Sequence, residues 1–319
     1  MKRSNTDRLA APAFLRMCMA NFFLFASVYV VVLLQASCTF FLLLFAVGML
    51  VVGPFHAYLG DAYKRKHVYL LSALLTTLAG GAALVNVHPT LLYIAALLQG
   101  AGFGLAVTAG ITLAIDITPS EHRTSCNVCY ATVARLGMIA GILLPAFLQG
   151  VWDVRQMLTL SLVLGALGLC FAARVHVAFR APIGMTLYNM DRFFLPRAWL
   201  PAVNVLLKAM AAGLLMPLLF LTEWRVGAAT LVAFLMLQTA FAWTRLFVNL
   251  SQHCQRGTAN TTFYLATDLG VMAGLFLFEQ GGWGDALMWP LMMVAGLMLA
   301  SILLYVLATD AYYRKHRVR

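Results

Sequence analysis

Ten runs of about 20 apolar residues, each nearly free of charge, follow one another along this chain. A run of that length crosses the ~30 Å hydrocarbon layer of a bilayer as a helix, because a helix satisfies every backbone N–H and C=O within the segment. Composition agrees: 62% of the 319 residues are hydrophobic and 10% are Asp, Glu, Lys or Arg, whereas roughly a quarter of a soluble domain is charged. So few charges cannot clothe a water-facing surface. The expected fold is an all-α polytopic membrane protein with about ten transmembrane helices.

The predicted spans are 13–34, 39–59, 68–86, 90–115, 127–149, 156–174, 200–221, 227–249, 259–279 and 286–308, numbered helix 1 to helix 10. The first follows a polar, basic start and is too long for a signal-peptide core, so it is read as a retained helix. The formal charge of +11 does not indicate nucleic acid, because the basic residues alternate from loop to loop rather than forming a patch. Turns such as Gln35–Cys38 hold almost none of them. The other side collects Lys2, Arg3 and Arg8, then Lys64, Arg65 and Lys66, then Arg174, Arg180, Arg192 and Arg197, and finally Arg314, Lys315, Arg317 and Arg319. Cytoplasmic loops carry the excess of Lys and Arg. Both termini are therefore expected in the cytoplasm, as N-in/C-in, in the plasma membrane (inner membrane) of a bacterium.

The longest loop, 175–199, divides the chain into an N-terminal six-helix bundle (1–174) and a C-terminal four-helix bundle (200–319), an arrangement of 6+4. An internal repeat bears on this division. Arg123, Asn127 and Tyr130 align with Arg256, Asn260 and Phe263, and the register continues without a gap through Arg135, Gly137 and Gly141 over Asp268, Gly270 and Gly274. The offset is a constant 133 residues. Helices 5 and 9 run in the same direction, so the repeat is parallel, the kind that relates two halves about an axis along the membrane normal. Four helices separate the copies where a six-helix half requires six. The equivalents of helices 2 and 3 are expected to be absent from the second half.

With these residues in view the chain resembles the major facilitator superfamily, whose members usually have six plus six helices. The segment from Gly53 to Lys66, with Asp61 ahead of Lys64 and Arg65, is similar to that family's loop motif between helices 2 and 3. Gln99, Gly100, Gly102 and Gly104 resemble its helix-4 pattern, with Ala96 where an arginine is usual. Gly137, Gly141 and Pro145 resemble the glycine-and-proline pattern of its antiporter branches. The resemblance implies a bacterial-type, shortened member that lacks two helices of its second half. It also implies a solute cavity lined by helices 1, 4, 7 and 8, where polar residues at helical spacing are Asn21 and Tyr29 near Phe25, Thr108 and Thr112, Asn204 and Lys208, and Gln238 and Arg245. Asp61, Lys64 and Arg65 are the candidate gate, with the acid expected to face the N-terminal end of helix 9.

Ionisable residues deep in a span are functional candidates because a charge at the bilayer centre costs about 2.5–3.5 kcal/mol on insertion scales. Arg135, Lys208 and Asp268 qualify, and Arg16 and Arg245 lie near helix ends. Two readings stand for Arg135 and Asp268. In one, Asp268 is a proton or cation site and Arg135 or Lys208 an anion contact; in the other, Arg135 and Asp268 lock the two helix groups together. The pairs Gly100/Gly104, Gly137/Gly141 and Gly270/Gly274 suit close helix packing.

The leading expectation is a secondary active transporter of a small solute, by alternating access, with membrane lipid as surroundings, protons as the coupling option and a monomer favoured. One alternative is a truncated, non-transporting relative persisting as a membrane scaffold or remnant. Another is a ten-helix drug/metabolite-type carrier, whose five-plus-five repeat disagrees with the offset observed. An enzyme, a cofactor and a metal centre are not expected. His56, His67, His88, His122, His176, His253 and His316 are dispersed, and Cys126 and Cys129 lack the second ligand pair of a zinc site. Cys18, Cys38, Cys170 and Cys254 add no disulfide framework.

Overall fold

The computed structural model describes residues 12–85, 88–177, 187–190, 192–252, 255–282 and 288–318, except for the side chains of Asp61 and Ser120. Among the described residues, ten helices are long and apolar enough to cross a membrane: Pro12–Leu34, Thr39–Gly60, Arg65–Leu84, Pro89–Asp116, Arg123–Leu148, Val154–Ala173, Pro196–Phe220, Arg225–Leu250, Arg256–Gln280 and Met288–His316. They are helices 1 to 10. Several begin or end a few residues outside the apolar runs, because polar residues at a membrane surface continue a helix without adding hydropathy. Helix 10 shows this most, reaching His316 through a π turn at Tyr305–Thr309. Among the described residues there is no β-strand.

Local chemistry sets the starts. Pro89 occupies the first turn of helix 4, and His88 Nδ1 accepts the N–H of Thr90. Helix 6 opens with a capping box, in which Asp153 Oδ1 accepts the N–H of Gln156 and Gln156 Oε1 accepts the N–H of Asp153. Each device satisfies a donor that a helix N-terminus leaves open.

Helix 1 is the most enclosed element, packed against helices 5 and 6, while helix 4 packs against helices 2 and 3, and helix 3 also against helix 6. The second group repeats part of this plan. Helix 7 packs against helices 9 and 10 as helix 1 does against helices 5 and 6, and helix 8 lies against helices 5, 7 and 9.

Glycine fixes the register of the equivalence. A Cβ at Gly137 or Gly141 would strike the carbonyl oxygen of Phe22 or Ala26, and a Cβ at Gly270 or Gly274 that of Leu206 or Met210. Helix 7 therefore matches helix 1 with an offset of 184 residues, while helix 9 matches helix 5 with an offset of 133. The difference of 51 residues equals two spans with their turns. Among the described residues no helix takes the place beside helix 10 that helix 3 holds beside helix 6. Accordingly 6% of the apolar stretch of helix 10 is buried, against 33% for helix 6.

Candidate functional site

Arg135 and Asp268 each lie twelve residues from the start of their helices, about 18 Å deep at 1.5 Å per residue. The structure joins them. Arg135 Nη1 donates to Asp268 Oδ1 at 2.6 Å with both side chains fully buried. Tyr29 of helix 1 donates its hydroxyl to the same oxygen at 2.7 Å. The guanidinium also lies 4.8 Å from the ring centre of Tyr264, 5.3 Å from Phe25 and 5.6 Å from Phe263, in reach of cation–π attraction. Among the described residues, Arg135 Nε and Nη2 and Asp268 Oδ2 have no hydrogen-bond partner. An ion pair in a dry interior repays its desolvation only when the remaining donors and acceptors are also met. This cluster is therefore held in place by the packing of helices 1, 5 and 9 around it and keeps hydrogen-bonding capacity in reserve.

The remaining first-group cavity candidates bond to carbonyls of their own group. Asn21 Nδ2 donates to the Tyr130 carbonyl at 3.4 Å, as does the Tyr264 hydroxyl from helix 9. Thr108 and Thr112 bond to carbonyls of their own helix, at Gly104 and Leu105 and at Thr108 respectively.

The second-group candidates take another side. Asn204 Nδ2 donates to Thr309 Oγ1 at 2.6 Å and its Oδ1 accepts from Ser301 Oγ at 3.1 Å, both on helix 10. Lys208 Nζ donates to Gln238 Oε1 at 3.2 Å and lies 4.8 Å from the Trp243 ring centre. Arg245 is exposed on helix 8. With the offset of 184, Asn204 and Lys208 match Ala20 and Leu24, whose backbone faces Gly168 of helix 6, while Asn21, Phe25 and Tyr29 match Val205, Ala209 and Gly213. The polar stripes of helices 7 and 8 thus meet each other and turn toward helix 10. Among the described residues no hydrogen bond joins them to the stripes of helices 1 and 4.

At the basic end, Arg65 Nη1 donates to Asp116 Oδ2 at 2.7 Å and its Nε to the Gly60 carbonyl at 3.4 Å. This ties helix 3 to the end of helix 4. Lys64 is the N-cap residue of helix 3. The side chain of Asp61 lies outside the described residues, as do Lys2, Arg3, Arg8, Arg180, His253 and Cys254. Asp116 carries no sequence signal of its own, being one acid at the end of an apolar run. Residues 187–190 and 192–195 also belong here: Asn189 N–H donates to the Pro54 carbonyl, Phe193 lies against Gly53, and Leu195 N–H donates to Thr262 Oγ1. They bind the end of helix 2 to helix 9.

The two helix groups meet at three levels. At the basic end, Gly257 of helix 9 approaches Ile115 of helix 4. The Tyr29, Arg135 and Asp268 cluster holds the middle. At the opposite end, Arg225 Nη2 donates to Gln149 Oε1 at 3.1 Å. No group of three His, Cys, Asp or Glu residues among the described ones is placed to hold a metal ion.

Comparison with known proteins agrees with this geometry. The family model described as Major Facilitator Superfamily matches residues 10–316. A search of curated protein sequences gives no match. Among solved structures, a D-xylose-proton symporter is similar with a TM-score of 0.61 at 13% identity, over 92% of this chain and 96% of that one. The human organic anion transporter MFSD10 (TETRAN) is similar with a TM-score of 0.59 at 14% identity, over 92% of this chain and 99% of that one.

Proposed function

The chain belongs to the major facilitator superfamily, a family of membrane transporters rather than enzymes, and from that premise we propose that it carries a small solute by alternating access. In this reading Tyr29, Arg135 and Asp268 are the pivot and coupling point. One observation supports it above the others: a fully buried ion pair joins the two helix groups at mid-depth, while separate contacts close them at either end. Opening one end parts the Ile115–Gly257 or the Gln149–Arg225 contact, together with the helix packing at that end, about the central pair. Protonation of Asp268 would release Arg135, whose free donors then meet a solute or its anionic group, so a proton gradient is the proposed drive. The solute class stays broad; relatives of the same fold are named for a sugar with a proton and for organic anions. The excess of basic residues on one side supports a cytoplasmic placement of both ends in a bacterial inner membrane.

The second reading is a shortened family member that serves as a static membrane scaffold, favoured by the bare sides of helix 10. One experiment separates the two. In a cysteine-free background, Gln149→Cys and Arg225→Cys are bridged by a short bis-maleimide, and Gly257→Cys is probed with a membrane-impermeant maleimide. A carrier locked at one end opens at the other, so labelling at position 257 rises several-fold on bridging. Equal labelling with and without the bridge means a static body and rejects alternating access.

A further inference from the structure

The two absent helices leave an apolar surface of helix 8 that polar and charged side chains interrupt. On helix 8, Val226, Leu231, Phe234 and Phe241 are exposed, and Gln238 and Arg245 share their face by helical spacing. In the first group, helices 2 and 3 cover helix 4, and helix 3 covers helix 6. Here helix 10 runs alongside and touches helix 8 through Trp243 against Tyr305 and through Asn249 donating to the Tyr313 hydroxyl. Lys208 and Gln238 are each twelve residues from the basic ends of their helices, so the ammonium lies at mid-depth. It is 8% exposed and meets a neutral amide and an aromatic ring. A lysine carries three donors. Arg245 stands seven residues from Gln238 on the same face, about 10 Å nearer the basic end at 1.5 Å per residue. Two cations thus mark the face, and none of the described acids on it answers them.

We propose that this face of helix 8, between helices 7 and 10, docks a transmembrane helix of a different protein that carries a carboxylate at the bilayer centre opposite Lys208, with a second acid near Arg245. Charge and depth choose this occupant. A phospholipid phosphate sits at the edge of the ~30 Å hydrocarbon layer and does not reach mid-depth. Among the described residues a second copy of this chain offers no free acid at that level, since Asp268 is fully buried in its own ion pair and Asp310, near the basic end, is bonded to Arg314 at 2.8 Å. A partner helix supplies the counter-charge that Lys208 lacks and that lipid tails do not offer. Its acid is neutral while free in lipid and ionises on pairing, which makes docking selective.

The probe is a synthetic Leu/Ala transmembrane helix of about 22 residues, with Glu at its centre and a second Glu seven residues closer to the end matching the basic side. Its Gln/Gln counterpart is the control. Energy transfer from the labelled full-length protein to the labelled peptide is measured in liposomes. The Glu peptide is expected to bind at least tenfold tighter than the Gln peptide. That preference disappears in Lys208→Met and weakens in Arg245→Met. Gln238→Glu, which neutralises the ammonium from within, abolishes it too and serves as a second variant should Lys208→Met fail to fold. Equal binding of the two peptides, or a preference that survives Lys208→Met or Gln238→Glu, overturns the proposal. Lys208-dependent binding of free benzoate without any peptide preference overturns it in favour of a small-anion site.

Discussion

Asp268 accepts two hydrogen bonds on one oxygen, from Arg135 and Tyr29, in a place with no solvent access. Removing either charge strands the other, and breaking a buried pair in this way costs about 3–5 kcal/mol. Asp268→Ala and Arg135→Ala are therefore each expected to unfold in detergent at markedly lower temperature. The double change Arg135→Met with Asp268→Leu is expected to recover most of that loss, because a well-packed apolar pair replaces a costly ionic one. A double variant no more stable than the singles would show that each residue acts alone. The sequence placed both residues at one depth through the constant offset of the repeat. It marked Tyr29, near Phe25, as a cavity-lining residue of helix 1 and not as a partner of Asp268, and it did not mark Tyr264 beside the guanidinium, because an aromatic residue within an apolar run reads the same whether it lies in a core, a cage or a lipid face.

Between elements, close packing and polar clasps divide the labour. Gly141 and Gly274 let one backbone lie directly on another, so Gly141→Leu and Gly274→Leu must drive helices apart, and overpacking of this kind costs about 1–3 kcal/mol. Gly227→Leu, where nothing lies within 4 Å of an added Cβ, is the matched control and is expected to leave the melting temperature unchanged. Helix 10 is held differently, by the Asn204 bonds to Thr309 and Ser301. Interhelical polar contacts in membranes are worth about 0.6 kcal/mol on average and at most about 1.7. Asn204→Leu should thus speed hydrogen exchange in helix 10 up to roughly tenfold while the other helices keep their protection, and uniform acceleration would argue against a local clasp. Element count and the two-helix shortfall were legible because apolar runs and a constant repeat offset survive in one dimension. The facing of Asn204, Lys208, Gln238 and Arg245 was not. Helical spacing groups residues on one side of a helix without saying which neighbour that side meets, and losing two helices changed the neighbours.

At the scale of the whole molecule, the proposed carrier opens its two ends in turn about the central Arg135–Asp268 pair. The basic end is reinforced by Asn189, Phe193 and Leu195, which tie the end of helix 2 to helix 9. Phe193 is the anchor of this strap: its ring fills the space that Gly53 leaves open, lies 6.3 Å from His56 between ring centres, and is 6% exposed. A buried Phe→Ala change costs about 3–5 kcal/mol where the contact is fully made. In a carrier, that loss falls on the form closed at the basic end and spares the form open there. Since about 1.4 kcal/mol is a tenfold change in population, Phe193→Ala should raise labelling of Gly257→Cys at least tenfold without bridging the opposite end. In a static scaffold the same change lowers overall stability and leaves labelling at position 257 in step with global unfolding. Measuring labelling rate and melting temperature on the same preparation distinguishes a strap that sets the direction of opening from one that only holds the fold.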